Sequence, residues 1–270
     1  GGARLQVYVS RVGFVRVEQA SNVEGTPGPW PDPLVPDIDA FDGQTRRAFP
    51  ARVGPGEDMA AWIDVFVPPS SPPGEFAGAI LVEDEGRALA RVPVEVRVHR
   101  FTLPPTPSLA VTFGFFAATA ARAHFGCAPT DGEALELTRR YALALLRDRI
   151  GVHGGTVDPA PIASREGGRV RLDTERYDAE IGPFLDGTAD PGGPAEGARW
   201  RAFDLRVPWR LEGAERTSYL AAMEEHLAAR GWLDRVFDYT ADEPPEAQLG
   251  AVTSRAHMVR AGAPRIRRLV

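Results

Sequence analysis

The sequence predicts a multidomain chain, β followed by α/β. An antiparallel β-sandwich is expected over residues 1–104, and the amino-terminal half of a (β/α)8 barrel, hence a truncated barrel, over residues 105–270. Three observations predict it. Apolar residues alternate with period 2 in short blocks through the first hundred residues, the mark of half-buried strands. The pattern breaks at Phe101-Thr102-Leu103-Pro104-Pro105-Thr106-Pro107, where proline stiffens the junction. Beyond it, strand-like runs alternate with helical stretches, which implies a parallel sheet.

The strand blocks come in order. Leu5, Val7 and Val9 lead into Phe14-Val15-Arg16-Val17, followed by Trp62 to Val67, Ala79 to Val82, and Val92 to Val98. Turn-rich stretches such as Pro68-Pro69-Ser70-Ser71-Pro72-Pro73-Gly74 separate them, the spacing of an antiparallel sandwich. Pro93 cannot donate to a ladder, so its run belongs at an edge or a bulge.

In the second segment, Leu109 to Phe115 reads as a strand. Asp131 to Arg149 reads as an amphipathic helix with Leu135, Tyr141, Leu145 and Ile150 on one side. Thr130-Asp131-Gly132-Glu133 supplies a capping box at its start. Strands near Ile150 to His153, Arg201 to Val207, Arg235 to Thr240 and Ile266 to Val270 interleave with helices Thr174 to Leu185, Ser218 to Arg230 and Glu246 to Arg260. Five strands, the fifth at the chain's end, suggest a barrel cut near its middle, since a whole barrel takes roughly 250 residues. Such a half barrel exposes sheet edges, so the piece alone is expected to be inactive and poorly soluble.

Composition narrows the function. A hydrophobic fraction of 43% supports a packed core and excludes disorder, and Gly 28 with Pro 25 marks a loop-rich globular protein. Net charge is −6, and all 31 basic residues are arginine, with no concentrated basic face, so nucleic acid is not an expected partner. Cys127 is the only cysteine, which excludes an intrachain disulfide and a cysteine-based zinc site. No apolar run approaches the roughly 20 residues needed to span a bilayer. The chain opens on Gly1-Gly2 without a charged start and apolar block, and reads as a piece of something longer. No His-x-x-x-His or His-Glu-x-x-His spacing, phosphate loop or Gly-x-Ser-x-Gly elbow occurs, so neither a metal nor a cofactor is expected.

The chemistry is expected at Tyr239-Thr240-Ala241-Asp242-Glu243-Pro244-Pro245, because loops at the carboxyl ends of parallel strands converge on one face. Asp242 and Glu243 place two carboxylates there. The same residues suit a helix start, with Thr240 and Glu243 as a capping box and proline in the first turn. Trp200, Trp209, Tyr239 and Phe115, aromatic residues near strand ends, are candidates for the floor of a substrate subsite. His153 and Asp204, and less strongly His124, are candidates for contacts to substrate hydroxyls.

Four motifs in one order carry a resemblance. Trp30-Pro31-Asp32-Pro33-Leu34-Val35-Pro36, Val65-Phe66-Val67-Pro68 with Pro73-Gly74-Glu75-Phe76-Ala77-Gly78, Phe101-Thr102-Leu103-Pro104, and Asp242-Glu243-Pro244 together resemble glycoside hydrolase family 123 and its relatives, known as domain of unknown function 4091. The resemblance implies a sandwich followed by a catalytic barrel, and cleavage of terminal β-linked N-acetylhexosamine, above all N-acetylgalactosamine, with retention. It implies that the substrate's acetamido oxygen is the nucleophile, that Glu243 serves as acid and then base, and that Asp242 orients the acetamide. The partner is then an oligosaccharide or glycoconjugate, and the implied location is outside the cell or on its surface. Adjacent residues on an extended chain point to opposite sides, so Asp242 and Glu243 suit substrate assistance better than a pair about 5–5.5 Å apart across one bond. Two readings compete: a non-catalytic carbohydrate-binding or surface-interaction protein, and a glycosidase of other linkage completed by a carboxylate beyond Val270.

Overall fold

The computed structural model describes residues 5–39, 43–128, 130–154, 160–208 and 210–270. The chain divides into two compact units, Gly1–Leu103 and Pro104–Val270.

The first unit is antiparallel. β1 (Gln6–Val17) lies between β2 (Gly28–Pro36) and β3 (Ala61–Phe66), while β4 (Gly74–Asp84) and β5 (Arg87–Val98) form a long hairpin. The two strand blocks expected before residue 18 are one strand, bulged between Val12 and Phe14. Gly13 sits at that bulge because a Cβ there would meet Pro33 Cγ at 2.8 Å. β2 escapes sequence periodicity because Pro29, Pro31, Pro33 and Pro36 cannot donate; it is bonded to β1 alone among the described strands. Pro93 lies in β5, whose only described ladder partner is β4.

The expected sandwich core is not formed here. Among this unit's described residues only Gly13 and Ala48 are buried, whereas Trp62 is 52%, Phe14 52% and Leu81 57% exposed. A sandwich encloses its two inner faces against each other, and here the alternate positions Ile63, Val65, Phe76, Ile80, Val94 and Val96 are half-buried, none of them enclosed.

The second unit holds the main hydrophobic core. β6 (Thr112–Phe115) pairs in parallel with β7 (Gly151–Gly154). Between them lie α1 (Ala117–Phe125), an element the strand-helix reading passed over, and α2 (Asp131–Arg147). The capping box at Thr130 is present, with Glu133 N–H donating to the threonine hydroxyl and Glu133 receiving the Thr130 N–H. α2 buries Leu137, Thr138, Ala142 and Leu146, not the expected Leu135, Tyr141, Leu145 and Ile150 stripe. Of the expected stripe, Leu145 is half-buried against the same core and Tyr141 packs on Phe115.

A hairpin, β8 (Ile162–Glu166) and β9 (Arg169–Leu172), turns at Gly167-Gly168 in the left-handed conformation that such a tight turn requires. α3 (Glu175–Asp186) follows. β10 (Phe203–Asp204), β11 (Val236–Tyr239) and β12 (Arg267–Leu269) then form a parallel sheet, with α4 (Gly213–Ala229) and α5 (Leu249–Gly262) between its strands. Tyr219, Leu220, Met223 and Leu227 of α4 are buried with Trp232, Val236 and Ile266 in one cluster.

Among the described residues no (β/α)8 barrel, whole or truncated, is present. The parallel strands form one sheet of two and one of three, and neither closes. A barrel requires an unbroken ring of ladders. Here β7 and β10 are neighbours joined by the Gly154 N–H to the Asp204 carboxylate, and β10 is only two residues long.

Candidate functional site

β11 carries the central residue. Val236 and Asp238 share one face of the strand while Phe237 and Tyr239 share the other, as period-2 alternation dictates. Asp238 is a buried acid on the first face. It accepts from Arg255 at 3.1 Å and from the Thr240 hydroxyl at 2.6 Å, so its charge is compensated. Tyr239 closes the strand, and its hydroxyl donates to Asp242 Oδ1 at 2.8 Å. That bond, with smaller help from burial and the Asp242 and Glu243 charges, pushes the phenol above its ordinary range. Asp242 is thereby held back toward the strand end.

Neighbouring strands bring further groups to the same end. His153 of β7 packs edge-on to Tyr239 at 5.1 Å between ring centres and to Phe237 at 6.4 Å. Its Nδ1 lies 3.2 Å from the Thr112 hydroxyl of β6, which fixes the ring. Asp204 at the end of β10 is buried, accepts from the Gly154 N–H at 3.2 Å, and lies near the Arg206 and His153 charges. Burial dominates and raises its carboxyl above the usual carboxylate range. Thr112, His153, Asp204, Tyr239 and Asp242 thus form one polar group drawn from four parallel strands and the turn after β11.

Glu243 is exposed, and its backbone φ is +41°, a left-handed conformation that costs a residue with a Cβ roughly 1–2 kcal/mol. The capping box expected of Thr240 and Glu243 is not formed. α5 begins at Leu249 after a single 3-10 turn over Glu246–Gln248, so the helix starts too late for either residue to cap it. Thr240 turns its hydroxyl to Asp238 instead. A cavity of about 310 Å³ reaches this end of the sheet; Asp204 and Tyr239 line it, while Asp242 and Glu243 do not.

The expected aromatic floor is only partly assembled. Phe115 is buried in the core and packs at a tilt against Tyr141, 4.8 Å between ring centres. Trp200 is 2% exposed and stacks on Phe184 at 4.4 Å, which makes it a core residue away from the polar group. Trp209 lies outside the described residues. His124 contacts Tyr141 at 3.0 Å and stays outside the group. Sequence reasoning missed Thr112, Arg206, Asp238 and Arg255. A usable signal existed for Asp238 alone, an acid in the middle of an otherwise apolar strand.

Among the described residues, no three metal-ligating side chains come together, and no helix is long and apolar enough to cross a membrane. The chain matches no protein-family model and no curated protein.

Proposed function

We propose that this protein is a glycoside hydrolase that removes terminal β-linked N-acetylhexosamine, N-acetylgalactosamine foremost, by substrate-assisted catalysis with retention. The observation that carries the reading is the Tyr239–Asp242 hydrogen bond at the carboxyl end of β11. It leaves one Asp242 oxygen held and the other able to accept the N–H of an acetamido group. Glu243, next in the chain, gives its proton to the glycosidic oxygen as the acetamido oxygen bonds to the anomeric carbon and the aglycone departs. Its carboxylate then takes a proton from water, which opens the oxazolinium ring and restores the acetamide. His153 and Asp204 supply bonds to sugar hydroxyls, and Tyr239 supplies an apolar face.

The test is hydrolysis of chromogenic β-N-acetylgalactosaminide and β-N-acetylglucosaminide by the intact protein, with NMR of the first-formed anomer. Turnover with retention, lost by at least 100-fold in Glu243→Gln, is expected. Inversion, or indifference to a thiazoline inhibitor that mimics the bicyclic intermediate, would overturn substrate assistance.

A second reading has its own observation. Asp242 and Glu243 are both exposed and neither lines the cavity at this end of the sheet, which favours a carbohydrate-binding protein without turnover. Saturable binding of N-acetylhexosamine with no hydrolysis would select it.

A further inference from the structure

The 310 Å³ cavity lies between α4 and α5 at the carboxyl ends of β10 and β11. Three arginines and two aspartates line it: Arg206, Arg216 and Arg255 with Asp204 and Asp238. The two acids are already matched. Arg255 bonds Asp238 at 3.1 Å, and Asp204 has the Gly154 N–H with the Arg206 charge nearby. Arg255 also donates to the Tyr239 carbonyl, and Arg206 to the Gly154 carbonyl. Arg216 is left over. It is half-buried, and its guanidinium contact among the described residues is the sulfur of Met258 at 3.9 Å, a weak and uncharged acceptor.

A guanidinium partly withdrawn from water without a carboxylate is costly, and five donors in a fixed fork fit an oxyanion. We infer that this cavity binds an anionic group, with Arg216 as the charge that recognises it, and that the group is a sulfate or carboxylate substituent of the saccharide on which the Tyr239–Asp242 site acts. The identity of the carrier rests on the proposed function, because Tyr239 both lines the cavity and bonds Asp242. The volume suits one charged substituent and part of a ring, not a longer glycan. Recognition of phosphate or sulfate by arginine in this manner needs no metal.

Calorimetric titration of the purified chain tests it with three probes: inorganic sulfate, N-acetylgalactosamine, and N-acetylgalactosamine 6-sulfate. The sulfated sugar is expected to bind more tightly than either other probe. Arg216→Ala and Arg216→Gln are expected to weaken it roughly 10- to 100-fold while leaving the neutral sugar unchanged. Arg216→Lys keeps the charge and retains part of the affinity, and Met258→Leu, which removes only the sulfur, leaves binding within about twofold of the parent. Equal binding of neutral and sulfated sugar, unaltered affinity in the Arg216 variants, or no binding of any probe overturns the inference. Inorganic sulfate binding as tightly as the sulfated sugar overturns the saccharide as carrier. Because the readout is binding, a chain that hydrolyses nothing yet discriminates the sulfated sugar through Arg216 refutes the hydrolase reading alone. A chain that hydrolyses without that discrimination refutes this inference alone.

Discussion

The hydroxyl of Tyr239 donates to Asp242 Oδ1 at 2.8 Å, so the last side chain of β11 holds the first acid of the following turn. The bond stabilises the protonated phenol, whose ionisation is raised with Asp242 as the leading cause. Its contribution to stability is therefore present below the ordinary phenol range and lost as pH rises through the raised value. Removing the acceptor charge by Asp242→Asn is expected to bring Tyr239 back toward ordinary phenol behaviour. Ultraviolet titration of tyrosinate, with Tyr239→Phe to identify the signal, checks this. An unchanged curve in the asparagine variant would refute the assignment.

Glu243 adopts φ +41°, where glycine is at ease and a side chain is not. Glu243→Gly should stabilise the second unit by about 1 kcal/mol while abolishing hydrolysis, the pattern of strain kept for function. Denaturant unfolding beside the chromogenic assay measures both. A destabilised glycine variant would show that the glutamate's conformation is held by contacts that outweigh its strain.

Asp190 is buried and accepts from Arg147 Nε at 3.0 Å and Nη2 at 2.8 Å, together with the Ala195 N–H at 2.9 Å. The Arg147 bonds lower its carboxyl below the usual range. A depressed acid stabilises the fold above its unfolded pKa and ceases to do so as pH falls through the folded value. Asp190→Ala removes the buried acceptor of the two Arg147 bonds and of the Ala195 N–H and should cost roughly 1–3 kcal/mol near neutrality, with the gap to the parent closing in acid. Urea melts across the acid range decide it, and a pH-independent difference would contradict the electrostatic account.

Gly151 opens β7 where the neighbouring chain passes closest. A Cβ there would meet the Ala202 carbonyl oxygen at 2.6 Å and the Val111 carbonyl oxygen at 3.0 Å, both backbone atoms unable to swing aside. Gly151→Ala should therefore cost about 1–3 kcal/mol and displace His153 two residues on. Thermal melting and the chemical shifts of the His153 ring report the two effects; a neutral substitution would mean that β7 and β10 part easily.

What the sequence determined by itself is local. Thr130 and Glu133 announced the start of α2 because a capping box satisfies helix-end donors within four residues of chain. The short apolar run between two helical stretches announced β11. The hairpin at Gly167-Gly168 carried its own signal in two adjacent glycines, although the Gly-rich stretch around it hid that signal.

Tertiary structure decided the rest. Whether the parallel strands close is set by whether β7 and β10, some fifty positions apart, form a ladder, and no period in the sequence reports a seam joined instead through the side chains of Asp204 and Arg206. The face α2 buries, the withdrawal of Trp200 onto Phe184, and the Arg255–Asp238 and Arg147–Asp190 pairs depend on which elements meet. Arg216 is the clearest instance: among 31 arginines it is distinguished by what packs around it, since a charge acquires meaning from its partners and the solvent it loses, and both are fixed only when the chain has folded.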